Sequence, residues 1–290
     1  FLSYQINQST SGIRYCSLMN KFIIKNMEVK NWGICDLSIN RSFDLKELIK
    51  LEKIGINTVA INTVVEEVCD EPKKKKKRGD PKVEKGDFIP APLEIPQDIK
   101  DECKLNILQR LTLEYSDTSI SHKINHSENI KKYDIFAVIP KTSQAFQYAC
   151  SSLDVDIITF QPEIKLPFKL NRKLYNQAAE RGIYFELMYS PAIMDPTARK
   201  NIIATAHMYH SIGKSKNIVM SSGSSSYSLV RSVHDIMNLG FILGLNINKS
   251  LEVVRDNGRK VILKAQSRKC GKHFMLITKD EEPEIKTDDE

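Results

Sequence analysis

The side chains that could run a reaction in this chain are few, and their spacing suits few chemistries. Hydrolysis at a bound metal needs several His, Asp or Glu donors converging on one ion, because unprotonated ligands must hold the metal that activates water. Of the six histidines, His122 and His126 stand four apart in a polar segment with no third ligand near, which favours a solvated loop over a metal site. His207 and His210 fall beside the apolar face of a predicted helix, where a partly buried structural role is expected. His234 falls in a first helical turn and reads as a surface residue. The cysteines (Cys16, Cys35, Cys69, Cys103, Cys150, Cys270) are scattered, with no pair two residues apart to share a metal, and are expected to be reduced thiols.

Two acids and one loop remain. Glu186 lies inside a strongly apolar strand signal, where an unpaired carboxylate is costly. An ion pair with Arg110 across a barrel mouth is the preferred reading. The alternative makes Glu186 a general base, acting with Asp36 in a stand-alone phosphoesterase-like metallohydrolase. The run Ser221-Ser222-Gly223-Ser224-Ser225-Ser226 has small residues that let backbone amides approach an anion. It lacks the Gly-Lys-Ser/Thr ending of a nucleotide-binding loop. It reads as a flexible loop, with contact to RNA phosphate as the alternative.

The elements that must position these residues alternate along the chain. Strand signals occupy Gly33–Ile39, Ile56–Asn62, Leu105–Tyr115, Asp134–Pro140, Val155–Phe160, Ile183–Met188 and Asn217–Ser221. Between them run helices with readable ends. Asp44 with Glu47 and Ser232 with Asp235 have capping-box spacing, Asp195-Pro196 supplies a cap and a first-turn proline, and Gly55 and Gly182 end helices. A helix is expected over about Asn171 to Glu180, and another capped by Asn248 and halting near Gly258. Seven strands with intervening helices predict an α/β fold with a parallel barrel of about seven strands, favoured over an open doubly wound sheet.

Residues 1–31 are expected to lie outside that core. The chain begins with Phe, and Met27 precedes the first strand signal, so residues 1–26 read as upstream sequence. Residues 32–269 form one domain. It is interrupted at 66–104 by a proline-rich, charged insertion predicted to lack a packed core, and followed by an acidic, disordered tail over 270–290. No apolar run approaches the ~20 residues of a spanning helix, and no membrane partner is expected.

Lys and Arg number 43 against 36 Asp and Glu, a net charge of +7. The stretch 280–290 alone carries −6, leaving +13 on the remainder. Such a body attracts polyanions through counterion release. The run Lys73, Lys74, Lys75, Lys76, Lys77 and Arg78 fits a nuclear-import signal or an RNA tether, with a merely solvated charge run as the bland alternative. Aromatics are dispersed and Trp32 is alone, so no stacking platform for bases is evident.

Three stretches together carry a resemblance: Val138–Thr142 (VIPKT), Phe185–Ile193 (FELMYSPAI), and Arg231–Leu245 (RSVHDIMNLGFILGL). With Leu153–Asp156 and Lys165–Phe168, they resemble the 30-kilodalton protein subunit family of eukaryotic nuclear ribonuclease P and ribonuclease MRP, over residues 33 to 269. The family usually has Asn-His where this chain has Asn62-Thr63, and Pro-Tyr where it has Val233-His234. The resemblance implies a TIM-barrel-like fold related to the polymerase and histidinol phosphatase superfamily, without that superfamily's metal centre. It implies a non-catalytic subunit in the nucleus and nucleolus, which braces an RNA and pairs with a small partner subunit. The RNA, with its own magnesium, removes 5′ leaders from precursor tRNA and, in MRP, processes rRNA; the protein binds no cofactor. Candidate RNA-facing residues, chosen for positive charge at strand ends and helix starts, are Arg110, Lys141, Arg172, Arg199, Lys200, Arg231, Lys264 and Arg268.

Overall fold

In the computed structural model, which describes residues 32–67 and 87–270, seven strands run parallel and pair in chain order. They are β1 (Cys35–Asn40), β2 (Thr58–Glu66), β3 (Asn106–Tyr115), β4 (Ile135–Pro140), β5 (Ile157–Ile158), β6 (Tyr184–Met188) and β7 (Ile218–Ser221). The seam between β7 and β1 closes just past the end of β7. There Gly223 N donates to Ser38 O at 2.7 Å, and Asn40 N donates to Ser224 O at 2.8 Å. The sheet is a nearly closed α/β barrel, as the alternation of elements predicts. β5 is shorter than its sequence signal, with a two-residue ladder at Ile157–Ile158, while β2 runs on to Glu66 and pairs with β3 as far as Glu114.

The helices are α1 (Leu48–Lys53), α2 (Gln97–Glu102), α3 (Ile120–His126), α4 (Ser143–Ser151), α5 (Arg172–Glu180), α6 (Ser190–Met194), α7 (Pro196–Gly213), α8 (Val233–Ile242), α9 (Ile247–Glu252) and α10 (Gly258–Cys270). Asn171, Asp195 and Ser232 cap α5, α7 and α8 through their side chains, each satisfying an amide that the helix leaves without a partner. Gly55 and Gly182 follow α1 and α5 with φ of +91° and +70°, the left-handed geometry that glycine adopts at little cost. Near the end of the chain the structure differs from expectation. Asn246, not Asn248, caps α9, and no helix halts at Gly258. A π-helical turn, Val253–Asn257, leads directly into α10. Gly258 is needed for close approach, since a Cβ there would stand 2.7 Å from Cys35 Cβ.

The barrel interior has a floor and an upper polar layer. Leu37, Ala60, Ile135, Ala137, Ile157, Tyr184 and Val219 form a buried apolar layer, against which Val261, Ile262 and Ala265 of α10 pack. Arg259 Nε donates to Gly33 O, Lys264 Nζ to Val155 O and Arg268 Nη2 to Asp134 O. Each of those carbonyls precedes a strand, so α10 covers the amino-terminal end of the barrel.

Composition predicts no packed core for residues 66–104, but residues 87–103 do pack. Ile89 is buried in the main core, Tyr133 Oη donates to Pro90 O at 3.1 Å, and Gln109 Nε2 donates to Leu93 O at 3.1 Å. Asp87 accepts from Ser127 Oγ and Asn129 N. A few apolar and turn residues suffice to anchor this segment, despite its prolines and charge. Lys73–Arg78, residues 1–31 and the acidic stretch after Cys270 lie outside the described residues, and Cys270 itself still belongs to α10. Among the described residues Cys35, Cys103, Cys150 and Cys270 are free thiols, and no helix is long and apolar enough to cross a membrane.

Candidate nucleic-acid interface

Strand alternation points Arg110, Thr112, Glu186 and Ser221 into the barrel above the apolar floor. Arg110 Nη1 and Nη2 donate to Glu186 Oε1 and Oε2 at 2.6 and 2.7 Å, the two-point fork geometry of guanidinium on carboxylate. Arg110 Nη1 also donates to Leu37 O at 2.8 Å, and Nε to Thr112 Oγ1 at 3.1 Å. Thr112 Oγ1 donates to Asn62 Oδ1 at 2.6 Å, and Ser221 Oγ donates to Glu186 Oε1. Burial pushes the Glu186 carboxyl upward, but the charge and hydrogen bonds of Arg110 outweigh it, so Glu186 titrates below the ordinary carboxylate range. The ion-pair reading therefore fits, with a correction to its position. Arg110 stands midway along β3, opposite Asn62 of β2 and Ile135 of β4, so the pair lies inside the wall rather than across the mouth. Both Glu186 oxygens are engaged by Arg110, and Oε1 also by Ser221, with the side chain fully buried.

Asp36 precedes the inward Leu37 and faces the other side of β1. Its Oδ1 accepts from Ser222 N at 3.0 Å and Ser38 N at 3.3 Å, while the buried Oδ2 has no partner. Burial is the largest influence on its carboxyl and pushes it up to about 6. The neighbouring serine loop is held by its own amides. Ser222 N goes to Asp36, Gly223 N to Ser38 O, Ser224 N to Ser222 Oγ and Ser226 N to Ser224 Oγ. Two of these donors hold the seam to β1 and two hold the loop to its own hydroxyls, so all four are already engaged and unavailable to a phosphate.

Among the described residues no three His, Cys, Asp or Glu side chains gather in a way that could hold a metal ion. His122 and His126 lie on α3 rather than in a loop, with their Nε2 atoms 3.1 Å apart on the exposed side. His207 and His210 are exposed rather than partly buried, and His210 Nδ1 meets Ser215 Oγ at 3.2 Å. His234 is exposed, as expected.

The eight candidate cations divide into two groups. Lys141, Arg172, Arg199, Lys200 and Arg231 stand in connections or first helical turns that follow strand ends, on the mouth side. Lys141 pairs with Glu114 at 2.9 Å, and Arg172 and Lys200 are exposed. Arg199 Nε donates to Ala192 O at 2.7 Å, and Arg231 Nη1 to Ser228 O at 3.1 Å. The other three sit elsewhere. Arg110 is fully buried, so its guanidinium cannot reach a phosphate without breaking the pair with Glu186. Lys264 and Arg268 lie on the floor side, where Lys264 holds the Val155 carbonyl and Arg268 pairs with Asp156 at 2.9 Å. A choice based on strand ends and helix starts also passes over Lys165, Lys169 and Lys173. The readable signal for the first two was alternation: Leu166, Phe168 and Leu170 turn inward while Lys165 and Lys169 are exposed.

Comparison with known proteins places this geometry. The profile of the family described as RNase P subunit p30 matches residues 33–270. The mouse ribonuclease P protein subunit p30 is 34% identical over 264 residues, covering 89% of this chain and 95% of that protein. The ribonuclease P/MRP protein subunit RPP1 of Saccharomyces cerevisiae is 25% identical over 237 residues, covering 81% of this chain and 76% of the yeast protein. Among solved structures, a chain from the cryo-EM structure of archaeal ribonuclease P with mature tRNA superposes with a TM-score of 0.52 at 13% identity. The match covers 85% of this chain and 99% of the archaeal one, and it supports the fold.

Proposed function

This chain belongs to the RNase P subunit p30 family, and we propose that it is a non-catalytic protein subunit of nuclear ribonuclease P and of ribonuclease MRP. Its work is to hold the catalytic RNA in a productive shape. The carrying observation is that Glu186, the carboxylate best placed for chemistry in the barrel, has both oxygens engaged by Arg110. The mouth instead offers cations on fixed loops, which position phosphates and reduce backbone repulsion around an RNA active site. Magnesium bound by that RNA supplies the hydrolytic chemistry for removing 5′ leaders from precursor tRNA and, in MRP, for processing rRNA. The protein holds no cofactor.

A protein neighbour is part of the reading. Ile193 of α6 faces a groove whose other wall includes Leu239 and Ile242 of α8. Ile242 is 68% exposed, and a small pairing subunit seated in the groove would cover it. Lys73–Arg78 supports location in the nucleus and nucleolus by acting as an import signal.

The test has two arms. The tagged full chain, recovered from cells and analysed by RNA sequencing, is expected to enrich ribonuclease P and MRP RNAs. The same chain stripped of all RNA is expected to leave precursor tRNA intact. Cleavage that survives destruction of the RNA overturns the non-catalytic reading.

A further inference from the structure

Between β5 and α5 the chain makes a long connection whose inner side is fixed by aromatic packing. The Phe168 ring lies 5.4 Å from Phe146 and 6.0 Å from Phe160, centroid to centroid, and Leu166 and Leu170 join the same core. The outer side carries Lys165 and Lys169, and Asn171 caps the helix that begins with Arg172 and Lys173. The start of α7 is tied to this connection, because Asn201 Nδ2 donates to Pro162 O at 3.1 Å. That link brings Arg199 and Lys200 to the same edge of the mouth.

These cations lack anionic partners. Among the described residues Lys165, Lys169, Arg172, Lys173 and Lys200 make no ion pair or side-chain hydrogen bond, and Arg199 is held only by backbone carbonyls, which leave its charge uncompensated. Lys50, Lys141, Lys249, Arg255, Arg268 and Lys269 each have a carboxylate, while among the described residues Lys53, Lys104 and Lys131 are unpaired like the ridge cations; what sets the ridge apart is that its charges gather on one edge of the mouth. α5 is capped by the neutral Asn171 and has no acid in its first turn, so Arg172 and Lys173 also face the positive end of its dipole, whereas the Asp195 carboxylate caps α7. A surface that keeps such repulsion on a rigid support is preorganised for a polyanion.

We propose that this ridge, Lys165, Lys169, Arg172 and Lys173 with Arg199 and Lys200, is the main phosphate-binding surface of the subunit and clamps the backbone of the catalytic RNA. The proposal rests on the ribonucleoprotein reading above and narrows it to one edge of the barrel mouth. The spread of the cations over two connections fits a run of several phosphates better than a single anion.

The test compares two triple variants of the full chain in titrations with the catalytic RNA over a range of salt concentrations. Lys165→Gln/Lys169→Gln/Arg172→Gln removes ridge charges that make no internal bond. Lys53→Gln/Lys104→Gln/Lys131→Gln removes as many exposed charges from positions that precede β2, β3 and β4, on the floor side. The ridge variant is expected to lower the slope of log affinity against log salt by about 2 to 3, at roughly 0.7 to 0.9 per phosphate contact. The floor variant is expected to leave the slope unchanged. Equal slopes for the wild type and the ridge variant overturn the ridge while leaving the RNA-binding reading standing. A wild-type chain that shows no affinity for the RNA overturns that reading itself. In the assembled particle, cross-links from Lys165 and Lys169 to an acidic protein surface rather than to RNA also overturn the ridge.

Discussion

Arg110 and Glu186 form a two-point bridge in which neither side chain reaches solvent, although their positions are 76 residues apart in the chain. Removing one member of such a pair leaves a buried charge without compensation, which typically costs about 3 to 5 kcal/mol. Arg110→Met is therefore expected to lower the denaturant midpoint severely. Arg110→Met/Glu186→Leu is expected to recover much of the loss, because two apolar side chains leave no orphaned charge. A double variant no more stable than the single one would show that the pair's other hydrogen bonds, to Leu37 O and Ser221, dominate.

Asp36 and Glu186 give opposite pH dependences. The stabilisation from Glu186, whose folded pKa is depressed, is present above its unfolded value and lost as pH falls through the folded one. Asp36 is raised from 3.8 to about 6, so the folded state holds its proton more tightly, and stability falls as pH rises across that window. Asp36→Asn is expected to flatten this decline between pH 4 and 6. Urea denaturation at several pH values reads it, and an unchanged profile in the variant would refute the assignment.

Gly213 lies in the last turn of α7, where a Cβ would stand 2.0 Å from Tyr175 Cε1. Tyr175 has little room to yield, since it stacks on Phe185 at 4.1 Å and its hydroxyl donates to Lys216 O at 2.6 Å. At an open helical site Gly→Ala gains up to about 1 kcal/mol. Here overpacking is expected to win, and Gly213→Ala should destabilise by about 1 to 3 kcal/mol. A raised thermal midpoint would contradict this.

Arg231→Ala is expected to weaken assembly on the RNA and to flatten the salt dependence by roughly one contact, with the fold intact. Lys264→Met is expected to leave that slope unchanged. Burial lowers the Lys264 ammonium to about 8, and it is already held by the Val155 carbonyl on the floor of the barrel. A drop in slope for Lys264→Met would place RNA at the wrong end of the molecule.

The barrel was legible because each strand carries enough Ile, Val, Leu or Phe to stand out from the helix after it, and capping residues mark several helix starts. The strand signal over Val155–Phe160 exceeds β5 because Val155 and Phe160 are apolar for packing, not for pairing. Gly258 misled for a related reason: glycine serves close approach as well as helix ends, and only the position of Cys35 tells the two apart. The site was legible chemically but not spatially. Glu186 invited Arg110 as its partner, yet the register that buries both depends on strands 70 or more residues apart, which local spacing does not encode. Likewise a positive charge on Lys264 or Arg268 carries no label for floor or mouth, because that depends on which end of the barrel α10 covers.

The cover that α10 makes over the floor has a consequence for synthesis. Val261, Ile262 and Ala265 are supplied after all seven strands have been made. On the ribosome, the inner apolar layer of the sheet therefore remains open to water until about residue 265 has cleared the exit tunnel. A nascent chain stalled before Val261 would expose a greasy well that chaperones recognise, and resistance to proteolysis should appear abruptly with α10 rather than accumulate strand by strand.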